Sequence, residues 1–125
     1  MKLNTLFTIT AVVTLAFGIG FLIAPGALLG IYGLSVDSVG VLLARFAGSA
    51  FICLAPLTWL AREFPDTQVR RALVISIFPT FAIGFVVALL AQISGLMNGP
   101  GWLYVSLPLL FTLGYGYFLL NRSAA

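Results

Sequence analysis

Residues 3–36 and 72–121 contain no Asp, Glu, Lys or Arg. Two uncharged stretches of that length inside 125 residues leave too few polar groups to wet a folded surface. Apolar residues make up 62% of the chain and charged ones 7%, where a soluble domain carries roughly 45–50% and about 25%. A soluble globular fold is excluded, and so is a disordered chain, which needs low hydrophobicity and high net charge. The single cysteine, Cys53, excludes a disulfide scaffold. What remains is an integral membrane protein of one domain, residues 1–125.

A helix crossing the hydrocarbon core needs about 20 apolar residues. Four segments qualify, at about 5–24, 39–60, 72–93 and 102–120. Pro25-Gly26 marks the exit of the first, and residues 26–38 read as a loop. Ser35 or Asp37 is placed to cap the second span. Residues 61–71 are the one conventionally polar stretch, and Asn98-Gly99-Pro100 is a turn signal before the last span. The long apolar runs lack the period-2 alternation of barrel strands. The expected fold is therefore all-α, an integral membrane four-helix bundle. The first run is longer than the apolar part of a signal peptide and no Ala-x-Ala site follows, so it reads as a retained anchor.

Residues 17–24 and 81–88 match at Phe, Ile, Gly, Phe and Ala, in the first and third spans. This pattern suggests two duplicated helical hairpins, with chance similarity between apolar helices as the alternative. Gly40, Ala44, Gly48 and Ala55 share one face of the second span, and Gly84 and Ala88 one face of the third. Lipid tails provide no hydrophobic drive between helices, so small residues mark seams where backbones approach. Pro56, Pro79 and Pro108 interrupt spans two, three and four, each freeing the carbonyl four residues earlier.

Arg45 is the one charged residue within a span, about 9 Å past its start at 1.5 Å per residue. Ser49 shares its face. Gln92 in the third span falls at a similar depth, Tyr104 of the fourth lies nearby toward the outer surface, and Asp37 is the candidate counter-ion. Arg45, Ser49, Gln92 and Tyr104 are thus the candidate ligand-binding residues, with two readings. In one, Arg45 pairs with Asp37 or loop carbonyls and locks the helix ends. In the other, it holds an anionic or carbonyl-bearing head group of a lipid or quinone-like molecule.

Catalytic constellations are not expected. Without histidine, the commonest general base and haem ligation by His are excluded. One cysteine and three carboxylates do not make a usual zinc or di-iron site. Cys53 sits in mid-span among apolar neighbours, where a packing role is expected. The residues identify no cofactor, catalytic group or metal ligand. Net charge is +3, too sparse for nucleic acid.

Phe17-Gly18 with Ala24-Pro25, the run Leu42-Leu-Ala-Arg-Phe-Ala-Gly48, and Leu60-Ala-Arg62 resemble the small four-span bacterial inner-membrane proteins of unknown function, including DoxX-like ones. Some DoxX-like proteins are linked to quinone-dependent sulfur metabolism. The resemblance therefore implies a quinone partner and carries over no catalytic residue. The expected function is a non-enzymatic membrane protein, either an accessory subunit or a binder of a hydrophobic ligand, lipid or quinone-like, in the outer-leaflet half of the bundle. A small oligomeric transporter or channel is the alternative. Expected partners are membrane lipids, with a larger membrane complex or a homo-oligomer beyond them.

Basic residues in short loops set orientation. With four spans, Lys2, Arg62, Arg70, Arg71 and Arg122 fall on one side, and the loops on the other side contain no Lys or Arg. Both termini should face the cytoplasm. Trp59, Tyr115 and Tyr117 should form the aromatic belt at that side, and Trp102 and Tyr104 the opposite belt. Alkaline phosphatase fused at the C-terminus should be inactive, and fused at Gly99 active. Activity at the C-terminus would overturn the orientation.

Overall fold

The computed structural model describes residues 2–65 and 67–121. It contains helices α1 (Leu3–Ile23), α2 (Pro25–Ile31), α3 (Ser38–Ala61), α4 (Thr67–Ile93) and α5 (Gly101–Leu120), and no strand among the described residues. α1, α3, α4 and α5 have 21, 24, 27 and 20 residues. At 1.5 Å per residue they are about 30–40 Å long, enough to cross a hydrocarbon core about 30 Å thick. Their outer faces are apolar: Leu43 is 62% exposed, Phe46 66% and Leu110 63%. Such a surface suits lipid and not water. The chain is a multi-pass, all-α membrane protein.

Two features of the first connection differ from the sequence expectation. Residues 25–31 are helical, because Pro25 stands at the first turn of α2, where its missing N–H costs no hydrogen bond. The connection then turns at Gly33, whose φ of +77° suits glycine and whose Cα lies against the Asn98 side chain. Asp37 caps α3 by accepting from the Gly40 N–H at 2.8 Å.

α1 lies mainly on α3, and α4 mainly on α5. The first pair is close because glycines meet: a Cβ on Gly48 would stand 3.0 Å from the Gly18 carbonyl oxygen, and one on Gly18 3.1 Å from that of Gly48. Ala44, Gly48, Ala55, Thr58 and Ala61 form the buried face of α3. The two hairpins meet through large side chains instead. Leu6 and Phe7 of α1 pack with Phe81 of α4 and Phe111, Tyr115 and Phe118 of α5. Phe81 stacks on Phe111 at 4.6 Å between centroids.

Tyr115 is fully buried in this cluster, so it is not part of an interfacial belt. Its hydroxyl lies 2.7 Å from Thr10 Oγ1. The Thr10 proton goes to the Leu6 carbonyl, so the phenol donates to Thr10. Trp59, Tyr117 and Trp102 are exposed near helix ends, where amphipathic rings suit an interface. Cys53 is exposed on the outer face of α3, so it does not pack as expected.

The start of α1, the end of α3, the start of α4 and the end of α5 converge at one end of the bundle. Arg70 of α4 donates to the Ala61 and Arg62 carbonyls at 2.9 and 3.3 Å and to Asn4 Oδ1 at 2.7 Å. Arg71 donates to the Phe118 carbonyl at 2.7 Å and to that of Leu119. Carbonyls at a helix C-terminus lack intrahelical donors and carry partial negative charge, so each guanidinium satisfies both needs. Arg62 covers the Trp59 ring at 3.6 Å from its centroid. Arg122 lies outside the described residues.

Gly48→Ala should lower stability by about 1–3 kcal/mol through overpacking against a backbone oxygen, whereas Gly84→Ala, whose Cβ meets nothing within 4 Å, should not. Thermal unfolding in detergent separates them, and equal losses would contradict the α1–α3 contact. Thr10→Val strands a buried phenol and should cost about 1–3 kcal/mol, while Tyr115→Phe leaves Thr10 bonded to Leu6 and should cost about 0.5–1.5 kcal/mol. The reverse order would assign the proton wrongly.

Candidate functional site: a cavity between the hairpins

The candidate binding residues go to three different places. Arg45 and Ser49 lie on the exposed side of α3, and the Ser49 hydroxyl donates to the Phe46 carbonyl at 2.7 Å. Gln92, near the end of α4, donates from Nε2 to the Asn98 carbonyl at 3.1 Å. Its Oε1 is buried without a partner, against Gly101 at the start of α5. Tyr104 stands inside the bundle. Among the described residues, no hydrogen bond or ion pair joins Arg45 to Gln92, Tyr104 or Asp37. The Asp37 carboxylate serves as the α3 cap, not as the counter-ion the sequence suggests. A single polar cluster therefore does not form. Arg45 and Phe51 are six residues apart, which at 100° each sets them about 120° apart around α3. Phe51 faces the interior, so Arg45 faces elsewhere.

Tyr104 borders a cavity of about 120 Å³ between the two hairpins. Val13, Thr14 and Phe17 of α1 line it, with Phe51 of α3. Thr80, Phe81 and Gly84 of α4 face them, and α5 adds Tyr104, Leu107, Pro108 and Phe111. The space exists because Gly84 carries no side chain and meets no atom within 4 Å of a Cβ. Gly84 therefore borders the cavity and does not share a packing seam with Ala88, which is buried. Pro108, which cannot bond the Tyr104 carbonyl, is also in the wall. The cavity is not sealed: Thr80 in its wall is exposed, and α3 and α4 make little backbone contact there.

The wall is aromatic with few polar atoms. Phe17 meets Tyr104 edge-on at 6.4 Å, and Phe21 stacks behind Phe51 at 6.0 Å. The Thr14 and Thr80 hydroxyls donate to the Thr10 and Ser76 carbonyls of their own helices. Tyr104 lines the cavity, and its hydroxyl has no hydrogen-bond partner among the described residues. It is thus the one side-chain donor in the wall left uncommitted among the lining residues described.

Tyr32, from the connection after α2, packs on Tyr104 toward the end of the bundle away from the arginines. It is 3% exposed and its ring lies 5.1 Å from that of Tyr104. Burial holds its phenol above the usual tyrosine range, in the neutral form. The connection is held by Asn98, whose backbone N–H donates to the Tyr32 carbonyl at 3.0 Å and whose Nδ2 donates to that of Ile31 at 3.2 Å. Sequence reasoning did not find Tyr32, Gly84 or Asn98 as parts of one site. Their proximity depends on two loops meeting across the hairpins, and no spacing along the chain encodes it.

No curated protein and no solved structure matches the chain. A family model described as a domain of unknown function (DUF8292) matches residues 1–122. The chain belongs to this family.

Proposed function

We propose that the protein is a non-enzymatic membrane protein that takes the ring or chain end of a carbonyl-bearing bilayer molecule, a lipid or quinone-like compound, into the cavity between its hairpins. The observation that carries this reading is the Tyr104 hydroxyl, a lone uncommitted donor in an aromatic wall. A cavity of about 120 Å³ suits one ring or a few methylenes, since an engineered apolar cavity of about 150 Å³ takes up benzene. The apolar wall supplies affinity, and a phenol in a low-dielectric setting selects an acceptor oxygen over a plain hydrocarbon. The opening beside Thr80 faces the lipid side of the bundle, so a ligand would enter from the bilayer. The resemblance to DoxX-like proteins, with a quinone partner, is compatible with a ring bearing carbonyl oxygens. The excess of basic residues at one end supports a bacterial inner-membrane location with both termini cytoplasmic.

Acetophenone and ethylbenzene share size and ring but differ in the carbonyl oxygen. In amphipol at matched free concentration, acetophenone should raise the melting temperature of the wild type more than ethylbenzene does. Tyr104→Phe should weaken acetophenone about fivefold, the contribution of one hydrogen bond, and leave ethylbenzene unchanged. Gly84→Leu should fill the cavity, fold normally and respond to neither. Equal responses in wild type and Gly84→Leu would refute the cavity as the site.

A further inference from the structure

We infer that Arg45 and the apolar side chains around it form a phospholipid site on the outer face of α3, where the guanidinium grips a lipid phosphate in the leaflet away from the arginine-rich end. Arg45 is exposed, and among the described residues it has no hydrogen bond, ion pair or ring contact. On its side of α3 the exposed apolar neighbours are Leu42, about 60° away around the helix and 55% exposed, and Phe46, about 100° away and 66% exposed, a surface suited to acyl chains. An arginine held among such side chains is costly unless it finds a partner.

The depth is right for a phosphate. Arg62 covers Trp59 at the other end of α3, a pairing that suits the membrane interface. Arg45 is 17 residues before Arg62, about 26 Å along the helix. With the far edge of the core set by its thickness or by the start of the span at residue 39, its Cα lies about 4–9 Å inside that edge, and an arginine stem extends from there toward the head groups. A planar guanidinium meets phosphate oxygens through two parallel N–H donors.

The available carboxylates argue against the main rival, a second copy of this chain. Glu63 is at the opposite end of α3 and Asp66 follows it in sequence. Asp37 lies eight residues before Arg45, about 12 Å along the helix axis, and its Oδ1 is held at the α3 cap by the Gly40 N–H. The site is separate from the cavity, on another side of α3, so it stands or falls independently of the ligand proposed there.

The test is native mass spectrometry of the full chain titrated with dioleoylphosphatidylglycerol or with dioleoylglycerol, which lacks the phosphate. Wild type should retain one phosphatidylglycerol more than Arg45→Leu, with that lipid bound about tenfold more weakly in the variant, the equivalent of one charge-assisted hydrogen bond. Arg45→Lys should fall between them, and Arg62→Leu should keep the lipid that Arg45→Leu loses. Dioleoylglycerol should not distinguish the proteins. Melting in lipid-free detergent should be the same for wild type and Arg45→Leu, since no protein contact is removed. Unchanged phosphatidylglycerol retention in Arg45→Leu would overturn the site. So would a drop in melting temperature, or conversion of a dimer to a monomer, because either would mean that the partner of Arg45 is protein.

Discussion

The Arg70 guanidinium reaches three of the four membrane-length helices: it grows from α4, caps α3 at Ala61 and holds Asn4 of α1. Its neighbour Arg71 caps α5. These contacts matter because a helix end near hydrocarbon has carbonyls that neither lipid nor water can reliably satisfy. One adjacent pair of side chains at the start of α4 fixes where the other helices stop and brings their ends together. The polar loop therefore has a structural use beyond orientation, and the bundle is anchored at this end before any apolar packing is considered.

Away from the arginines, two kinds of interface divide the molecule. Within the first hairpin, Gly18 and Gly48 let backbones touch, and the gain is dispersion over a long close contact. Between the hairpins, rings replace small residues. Phe7, Phe81, Phe111 and Tyr115 fill the space near the arginine end. Farther along, Gly84 and the threonines are too small to continue that filling, and Tyr32 packs on Tyr104. The cavity follows from this change in side-chain volume along one interface.

The polar residues illustrate how depth and direction differ. Counting along each span puts Arg45 and Gln92 at similar depths, with Tyr104 nearby. Direction around the helix relative to other helices is a separate quantity. α3 turns Ala44 and Gly48 to α1, which leaves Arg45 facing outward. α4 ends in a turn that engages Gln92, and α5 turns Tyr104 inward. A stripe of small residues reveals the seam of one helix but not which residues of a non-adjacent helix complete the space beside it.

Taken alone, the sequence determined the solvent and the class of fold. Uncharged runs of this length without period-2 alternation have backbone polar groups that helices satisfy in lipid, and the Gly-Ala stripe of α3 marked its packed face. It also showed the excess of basic residues that converges at one end. Tertiary structure decided the rest: that Tyr115 is core and not belt, that Arg70 and Arg71 cap other helices, that α2 forms, that Gly84 and Tyr104 share one cavity, and that Tyr32 packs on Tyr104. The physical reason is that helical periodicity is a property of one segment, readable from its own residues. Contact between segments depends on the rotation and offset of each helix, and here these are set by a few glycines and two arginines whose partners are many residues away.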